Sequence, residues 1–269
     1  MTGASEVESA IAAMPRGGPN ASWLDRRMQT DVLEYTDRYD IPDELKQKVI
    51  TSLDRVGTLE KVHEKSARAA LRVVSHIPAP RILEIGAGHG KLSAKIVEYH
   101  PQAAVTVSDL DPTSVANIAA GELGAHPRVR TQVVDATAID APDDSYDLVV
   151  FARSFHHLPP VVAYKAIAEA TRVGKRFLVI DLDRPSPSRL ALALILTLPL
   201  WVVALLPPVR PLLHDGFISM LRAYSHSALT TLGRAADPRM RIEFFPALSR
   251  FGPPSTTVLF SRPDVTLDQ

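Results

Sequence analysis

The 269-residue sequence contains no cysteine. Disulfides, thiolate metal sites, iron–sulfur clusters and cysteine nucleophiles are therefore excluded, and a reducing, cytoplasmic setting fits. Net charge is lacking too, because 30 Lys and Arg balance 30 Asp and Glu. Without a long-range field toward phosphate backbones, nucleic acid is not expected as a partner. The opening MTGASEVESAIAAMPRGGPN lacks a basic segment followed by an apolar run, so it is not expected to be a secretory signal. No internal repeat or low-complexity tract is evident. What remains is 46% hydrophobic and 22% charged, which excludes wholesale disorder. The length suits one large domain, or one domain with an elaborated end.

Residues 1–20 are small and polar, with Gly17, Gly18 and Pro19 as breakers, and are expected to form a flexible tail. Residues 21–78 read as a helical extension. Asp43, just after Pro42, suits an N-cap, with Leu45, Val49 and Leu53 four residues apart behind it. A second helix from Leu59 to His76 carries Val62, Ala67, Leu71 and Val74 on one side, and Pro78 and Pro80 close it. Over 79–183 the pattern changes. RILEI, AVTVSD, VRTQVVD, YDLVVFA and RFLVIDL are strand-like and alternate with helix-like stretches near 91–99, 112–121 and 161–172. That alternation predicts an α/β fold with βαβ units around a buried parallel sheet. Residues 184–238 hold an apolar, Pro-rich insertion. RIEFF and STTVLFS, within 239–262, are expected to pair antiparallel at the sheet edge, and 263–269 form a tail.

Residues 84–90 read Glu84-Ile85-Gly86-Ala87-Gly88-His89-Gly90, between the strand RILEI and the helix KLSAKIVEYH. Glycines there let the backbone turn sharply and approach a ligand facing the next helix's N-terminus. The dinucleotide pattern G-x-G-x-x-G needs a third glycine where this chain has Lys91. His89 and Lys91 read as solvent-facing residues at the helix start, and His63 as a surface or packing histidine.

E-x-G-x-G-x-G resembles motif I of the class I S-adenosylmethionine-dependent methyltransferases. Asp109 ends the strand AVTVSD, 23 positions after Gly86, and with Leu110 resembles the family's acidic ribose-binding position. Asp135-Ala136 resembles the D-A pair whose carboxylate meets the adenine amino group. YDLVVFARSFHHLPP resembles the fourth strand and the active-site loop after it. The resemblance covers roughly residues 60–183. It implies a doubly wound, Rossmann-like seven-stranded sheet in the order 3-2-1-4-5-7-6, closed by a reversed edge hairpin. It also implies S-adenosyl-L-methionine as cofactor, held by Glu84, Gly86, Ala87, Gly88, Gly90, Asp109, Leu110, Asp135, Ala136 and Arg153. Pairing of Arg153 with a carboxylate is the alternative for that residue.

Methyl transfer from a sulfonium is an in-line displacement, and a hydroxyl acceptor also benefits from a base near neutral pKa. His156 and His157, after the fourth strand, and His214, beside Asp215, are the candidates. The stretch HDGFISMLRAYS (214–225) resembles the insertion of ubiquinone/menaquinone-type and polyketide-associated methyltransferases, in which His214, Arg222 and Tyr224 would face the substrate. Alternatively HDG is a turn and helix cap, and the histidine pair is structural. No Asp/Glu/His cluster has metal-ligand spacing, so no metal is expected.

Leu190 to Val209 runs 20 residues without a charge. Its length suits a transmembrane helix, but Pro199, Pro207 and Pro208 interrupt it and both flanks belong to one sheet. It is expected to form an apolar lid with Trp201 and Leu205 facing the pocket or a bilayer surface; core packing is the alternative. Peripheral membrane contact through 190–209 and a homodimer are compatible with that reading. The expected activity is methyl transfer to an O or N nucleophile of a small apolar acceptor, phenolic, quinone-like, polyketide or lipid-like. The rivals are an NAD(P)-dependent oxidoreductase tolerating Lys91 and a non-catalytic, membrane-associated protein that keeps the fold.

Overall fold

The computed structural model describes residues 2–38, 40–197, 210–248 and 254–263. Five short strands lead the sheet: β1 (Arg81–Ile85), β2 (Ala104–Asp109), β3 (Val129–Val133), β4 (Leu148–Ala152) and β5 (Phe177–Leu182). With β6 (Arg241–Phe245) and β7 (Ser255–Ser261) they form one seven-stranded sheet in the order β3-β2-β1-β4-β5-β7-β6. The first five are mutually parallel, and β7 runs antiparallel to both β5 and β6. The expected order and edge hairpin are therefore found.

Helices cover both faces, which is why the central strands are apolar throughout rather than alternating with polar residues. Side chains along a strand point to opposite faces in turn. Leu83, Val149, Phe151, Phe177, Val179, Val258 and Phe260 enter one buried cluster, and Ile82, Leu148, Val150, Leu178, Ile180 and Leu259 the other. The first face is covered by α1 (Thr2–Ala12), by α7 (Pro160–Val173) and by α10 (His226–Ala236). The second is covered by α4 (Val62–Val73), α5 (Lys91–Tyr99) and α6 (Pro112–Ala120). Another helix, α8 (Pro187–Thr197), follows β5. Three further helices are α2 (Trp23–Met28), which packs against α8, and α3 (Asp43–Leu59) and α9 (Arg210–Arg222), which touch each other.

Within the expected flexible tail, residues 2–12 form a helix and Ile11, Met14 and Arg16 are buried. Ile11 and Met14 are buried with residues of α7 and α10, and Lys165 ion-pairs Glu8 at 2.7 Å. Arg16 is buried and its guanidinium donates to the carbonyls of His156 and Arg222. Two apolar side chains and one buried cation suffice to dock a segment whose composition is otherwise small and polar.

The helices of the extension also shift. Pro42 rather than Asp43 is the cap of α3, with Asp43 its first residue. The next helix starts at Val62 because Lys61 takes a left-handed backbone, φ 55°, that separates it from α3. HDG is neither a turn nor a cap, since His214, Asp215 and Gly216 lie inside α9. In the charge-free stretch, Pro199, Trp201, Leu205, Pro207 and Pro208 lie outside the described residues. Among those described, no helix is long and apolar enough to cross a membrane.

Candidate active site

A cavity of about 1460 Å³ opens beyond the carboxyl ends of β1, β2 and β4. Its floor is the glycine turn. Gly86 has φ 64°, and a Cβ on it would lie 2.6 Å from Ser154 Oγ and 2.7 Å from the Phe151 ring, so only glycine fits. Gly88 has φ 57°, but a Cβ there would meet only Ile50 at 3.5 Å, on the open side of the turn. Its N–H donates to Asp109 Oδ2 at 2.8 Å, while Oδ1 accepts from the N–H of Asp111 at 2.9 Å. The turn after β1 is thereby fixed to the end of β2. Gly90 is not among the lining residues. It caps α5, and a Cβ on it would strike Leu123 at 2.6 Å, so its role is packing rather than contact with a ligand.

Glu84, Ala87, Asp109, Leu110, Asp135, Ala136 and Arg153 all line the cavity, and Lys91 reaches its rim while remaining exposed, as expected. Glu84 is buried and accepts from both the N–H and the hydroxyl of Ser93 at the start of α5. Burial outweighs those bonds and lifts its carboxyl to about 7, with Asp109 and Asp54 adding like-charge repulsion. Burial raises Asp109 as well. Asp135 Oδ1 accepts from the N–H and hydroxyl of Thr137, both at 2.8 Å. Arg153 has a left-handed backbone, φ 66°, and its N–H donates to Ile180 O.

The roof is α3, which contributes Ile50, Leu53, Asp54, Val56 and Gly57. His89, expected in solvent, is clamped to that roof: Nδ1 lies 2.7 Å from Asp54 Oδ2, and Nε2 lies 2.9 Å from Gln47 Oε1. His63 lines the same wall with Nε2 3.8 Å from Asp54 Oδ1, and burial lowers its pKa despite that carboxylate.

At the far end the histidine pair sits among carboxylates that the sequence reading missed. His156 is buried, its Nδ1 2.7 Å from Asp181 Oδ1 and its Nε2 3.4 Å from Glu34 Oε1. Burial opposes the charged ring, yet Asp181, ahead of Glu34, prevails and holds His156 at about 9. Both ring nitrogens of His156 thus face carboxylates of the protein itself. His157 is more open, with Nδ1 2.7 Å from Asp37 Oδ1 and Nε2 3.8 Å from Glu34 Oε2. Burial works against the charge on Asp37, but His157 and then Arg222 draw its carboxyl down to about 2.

His214 lines the cavity, edge-on to Tyr35, with Nδ1 3.0 Å from Asp215 Oδ1. Tyr224 and Arg222 do not line it. The Tyr224 hydroxyl donates to Leu158 O at 2.6 Å beneath the Arg16 guanidinium, and burial pushes its pKa up. Arg222 binds Asp37 and the carbonyl of His157. Both brace the loop from behind, so the expected substrate contacts of Tyr224 and Arg222 are not found.

Glu34 and Asp37 precede α3 in a stretch with no periodic pattern, and nothing local marks them. Asp181 did carry a signal, because a carboxylate inside an apolar strand must find a partner. Glu34, His156 and His157 also bring one ligand atom each within 4.8 Å of one another, a grouping capable of holding a metal ion although none was expected.

Residues 82–176 match the family model described as a methyltransferase domain. Over 93 residues the chain is 37% identical to malonyl-[acyl-carrier protein] O-methyltransferase of Geobacter sulfurreducens, covering 35% of this chain and 34% of that protein. Over 104 residues it is 34% identical to the uncharacterized methyltransferase YcgJ of Bacillus subtilis, covering 38% and 40%. The chain thus spans well under half the length of these curated relatives. Among solved structures, the plantazolicin methyltransferase BpumL in complex with SAH aligns with a TM-score of 0.63 at 12% identity, over 96% of this chain and 99% of that one. The mitomycin 7-O-methyltransferase MmcR aligns with 0.53 at 19% identity, over 77% and 55%. At these identities the two structures share the fold.

Proposed function

We propose that this chain, whose residues 82–176 match a methyltransferase domain, is a class I S-adenosylmethionine-dependent methyltransferase that transfers a methyl group to an O or N nucleophile of a small, largely apolar acceptor. The observation that carries the reading is one continuous cavity, running from the Gly88–Asp109 turn to the His156–His157 loop. The residues of the turn suit the cofactor. Gly88 leaves its outer side open, and Asp109 and Asp135 offer carboxylate oxygens to hydroxyl and amino donors. S-adenosylmethionine bound there would supply an electrophilic methyl carbon on a sulfonium. The chain's own contribution is then alignment of an acceptor against that carbon and exclusion of water.

The acceptor end is walled by Leu194, Leu212, Leu213, Phe217 and Met220 on one side and by Ile50, Leu53 and Val56 on the other. Such walls favour an apolar body, and the polar loop at His157 favours a hydroxyl or amine at its tip. An oxygen nucleophile is preferred, in keeping with the name of the Geobacter relative. Calorimetry with S-adenosylhomocysteine and, separately, NADH tests the cofactor; binding of NADH alone would replace this reading with an oxidoreductase. Methyl release from S-adenosylmethionine across phenols, quinols and amines then tests the acceptor. Turnover confined to hydrophilic amines would sink the apolar assignment.

A further inference from the structure

We propose that Glu34, His156 and His157 bind one divalent transition-metal cation at the acceptor end of the cavity. Both rings turn the same way. Each Nδ1 sits 2.7 Å from a carboxylate, His156 on Asp181 and His157 on Asp37, the latter contact lying outside ideal hydrogen-bond angles. Carboxylates in that position orient imidazoles and raise their basicity as ligands, leaving Nε2 for a metal. The two Nε2 atoms then converge on Glu34, at 3.4 Å from Oε1 and 3.8 Å from Oε2. Two ligand atoms each ~2.1 Å from a tetrahedral ion lie roughly 3.4 Å apart, so small side-chain adjustments would close the shell.

Two of these atoms make no well-aligned hydrogen bond, although they face each other at 3.4 Å and Arg222 Nη1 lies 3.9 Å from Glu34 Oε1. Glu34 Oε1 and His156 Nε2 are buried without a hydrogen-bond partner, on residues 2% and 4% exposed. Unpartnered polar atoms this deep are costly unless something binds them. Charge points the same way. Glu34, Asp37 and Asp181 crowd the two rings and Asp215 adds a like charge toward Glu34, while Arg222 is ion-paired within the group and Arg153 adds a weaker field at Asp181. Two imidazoles and a carboxylate suit zinc or ferrous iron better than magnesium or calcium, which prefer oxygen shells. All three ligands line the cavity, so coordination positions stay open toward it, as in catalytic sites. The site itself does not depend on the methyltransferase reading. Its role, which rests on the methyltransferase reading, is to take the acceptor's oxygen as a Lewis acid and favour its deprotonated form.

The test is metal binding by the whole protein after chelator dialysis, with zinc followed by calorimetry and cobalt(II) by visible absorption. One equivalent should bind. Glu34→Gln and His157→Gln should each weaken binding at least ~100-fold, and Asp181→Asn ~10–100-fold. His226→Gln, on α10 and stacked on Phe244, should leave binding unchanged. If Glu34→Gln fails to fold, His157→Gln, with the more exposed ring, decides. No uptake by the unmodified protein, or full uptake in His157→Gln, overturns the site. S-adenosylhomocysteine affinity is measured on the same samples: metal uptake without it would leave the site standing and remove the methyltransferase reading.

Discussion

His89 and Asp54 join the glycine turn to its roof, Nδ1 of the imidazole lying 2.7 Å from Oδ2 of the carboxylate. The histidine belongs to the motif before α5 and the aspartate to α3, so the helical extension is latched onto the loop that would hold the cofactor. Neither residue needs to touch a ligand for the latch to matter.

Replacing His89 with Ala should loosen α3. S-adenosylhomocysteine affinity is expected to fall about tenfold, the equivalent of one charge-assisted hydrogen bond. Amide exchange across residues 43–59 should speed up while the sheet strands stay protected. Unchanged exchange in that helix would show the latch to be idle.

Asp109→Ala should cost more, because the carboxylate anchors the Gly88 and Asp111 N–H groups besides facing the cavity. We expect affinity for S-adenosylhomocysteine to drop by about 2–4 kcal/mol in calorimetry. Asp109→Asn, which keeps one acceptor oxygen, should fall between. Equal affinity in all three proteins would remove Asp109 from the binding site.

Glu84 makes stability depend on pH. Its carboxyl is lifted by burial from 4.5 to about 7, so between those values the folded protein holds a proton that the unfolded chain has released. Stability present in mild acid is therefore lost as pH climbs from about 4.5 to about 7, by roughly 3 kcal/mol. Glu84→Gln keeps an acceptor for Ser93 but cannot ionise, and its melting temperature should be flatter across that window. An identical slope in both proteins would contradict the assignment.

Arg16→Met should unfold the protein at lower urea. The buried guanidinium satisfies the carbonyls of His156 and Arg222 and lies 4.9 Å from the Tyr224 ring centre. Losing it should cost about 2–4 kcal/mol, since buried acceptors are left without donors. A midpoint that does not move would mean that the first segment is only loosely attached.

Of the residues expected to hold the cofactor, all but Gly90 line one cavity, and the glycine turn among them was legible because its information is local. A strand, a turn with three positive-φ glycines and a helix start follow one another within residues 81–99, and Asp109 and Asp135 stand at or just past the ends of the next two strands. The turn itself is dictated by short-range backbone geometry, whereas the parts assigned to Asp109 and Asp135 were what the family resemblance implied. Continuous apolar runs likewise announced a sheet buried on both faces. The acceptor half has no such local grammar. Glu34 and Asp37 meet His156 and His157 from far away along the chain, Arg16 reaches the same loop from an early segment, and His89 finds Asp54 on another helix. For these residues the sequence determined only that buried charges would need partners, as Asp181 within its apolar strand already implied. Which partners they took was decided by tertiary packing, because a desolvated charge is satisfied by whatever the fold brings within a few ångströms, and nothing along the chain encodes that distance.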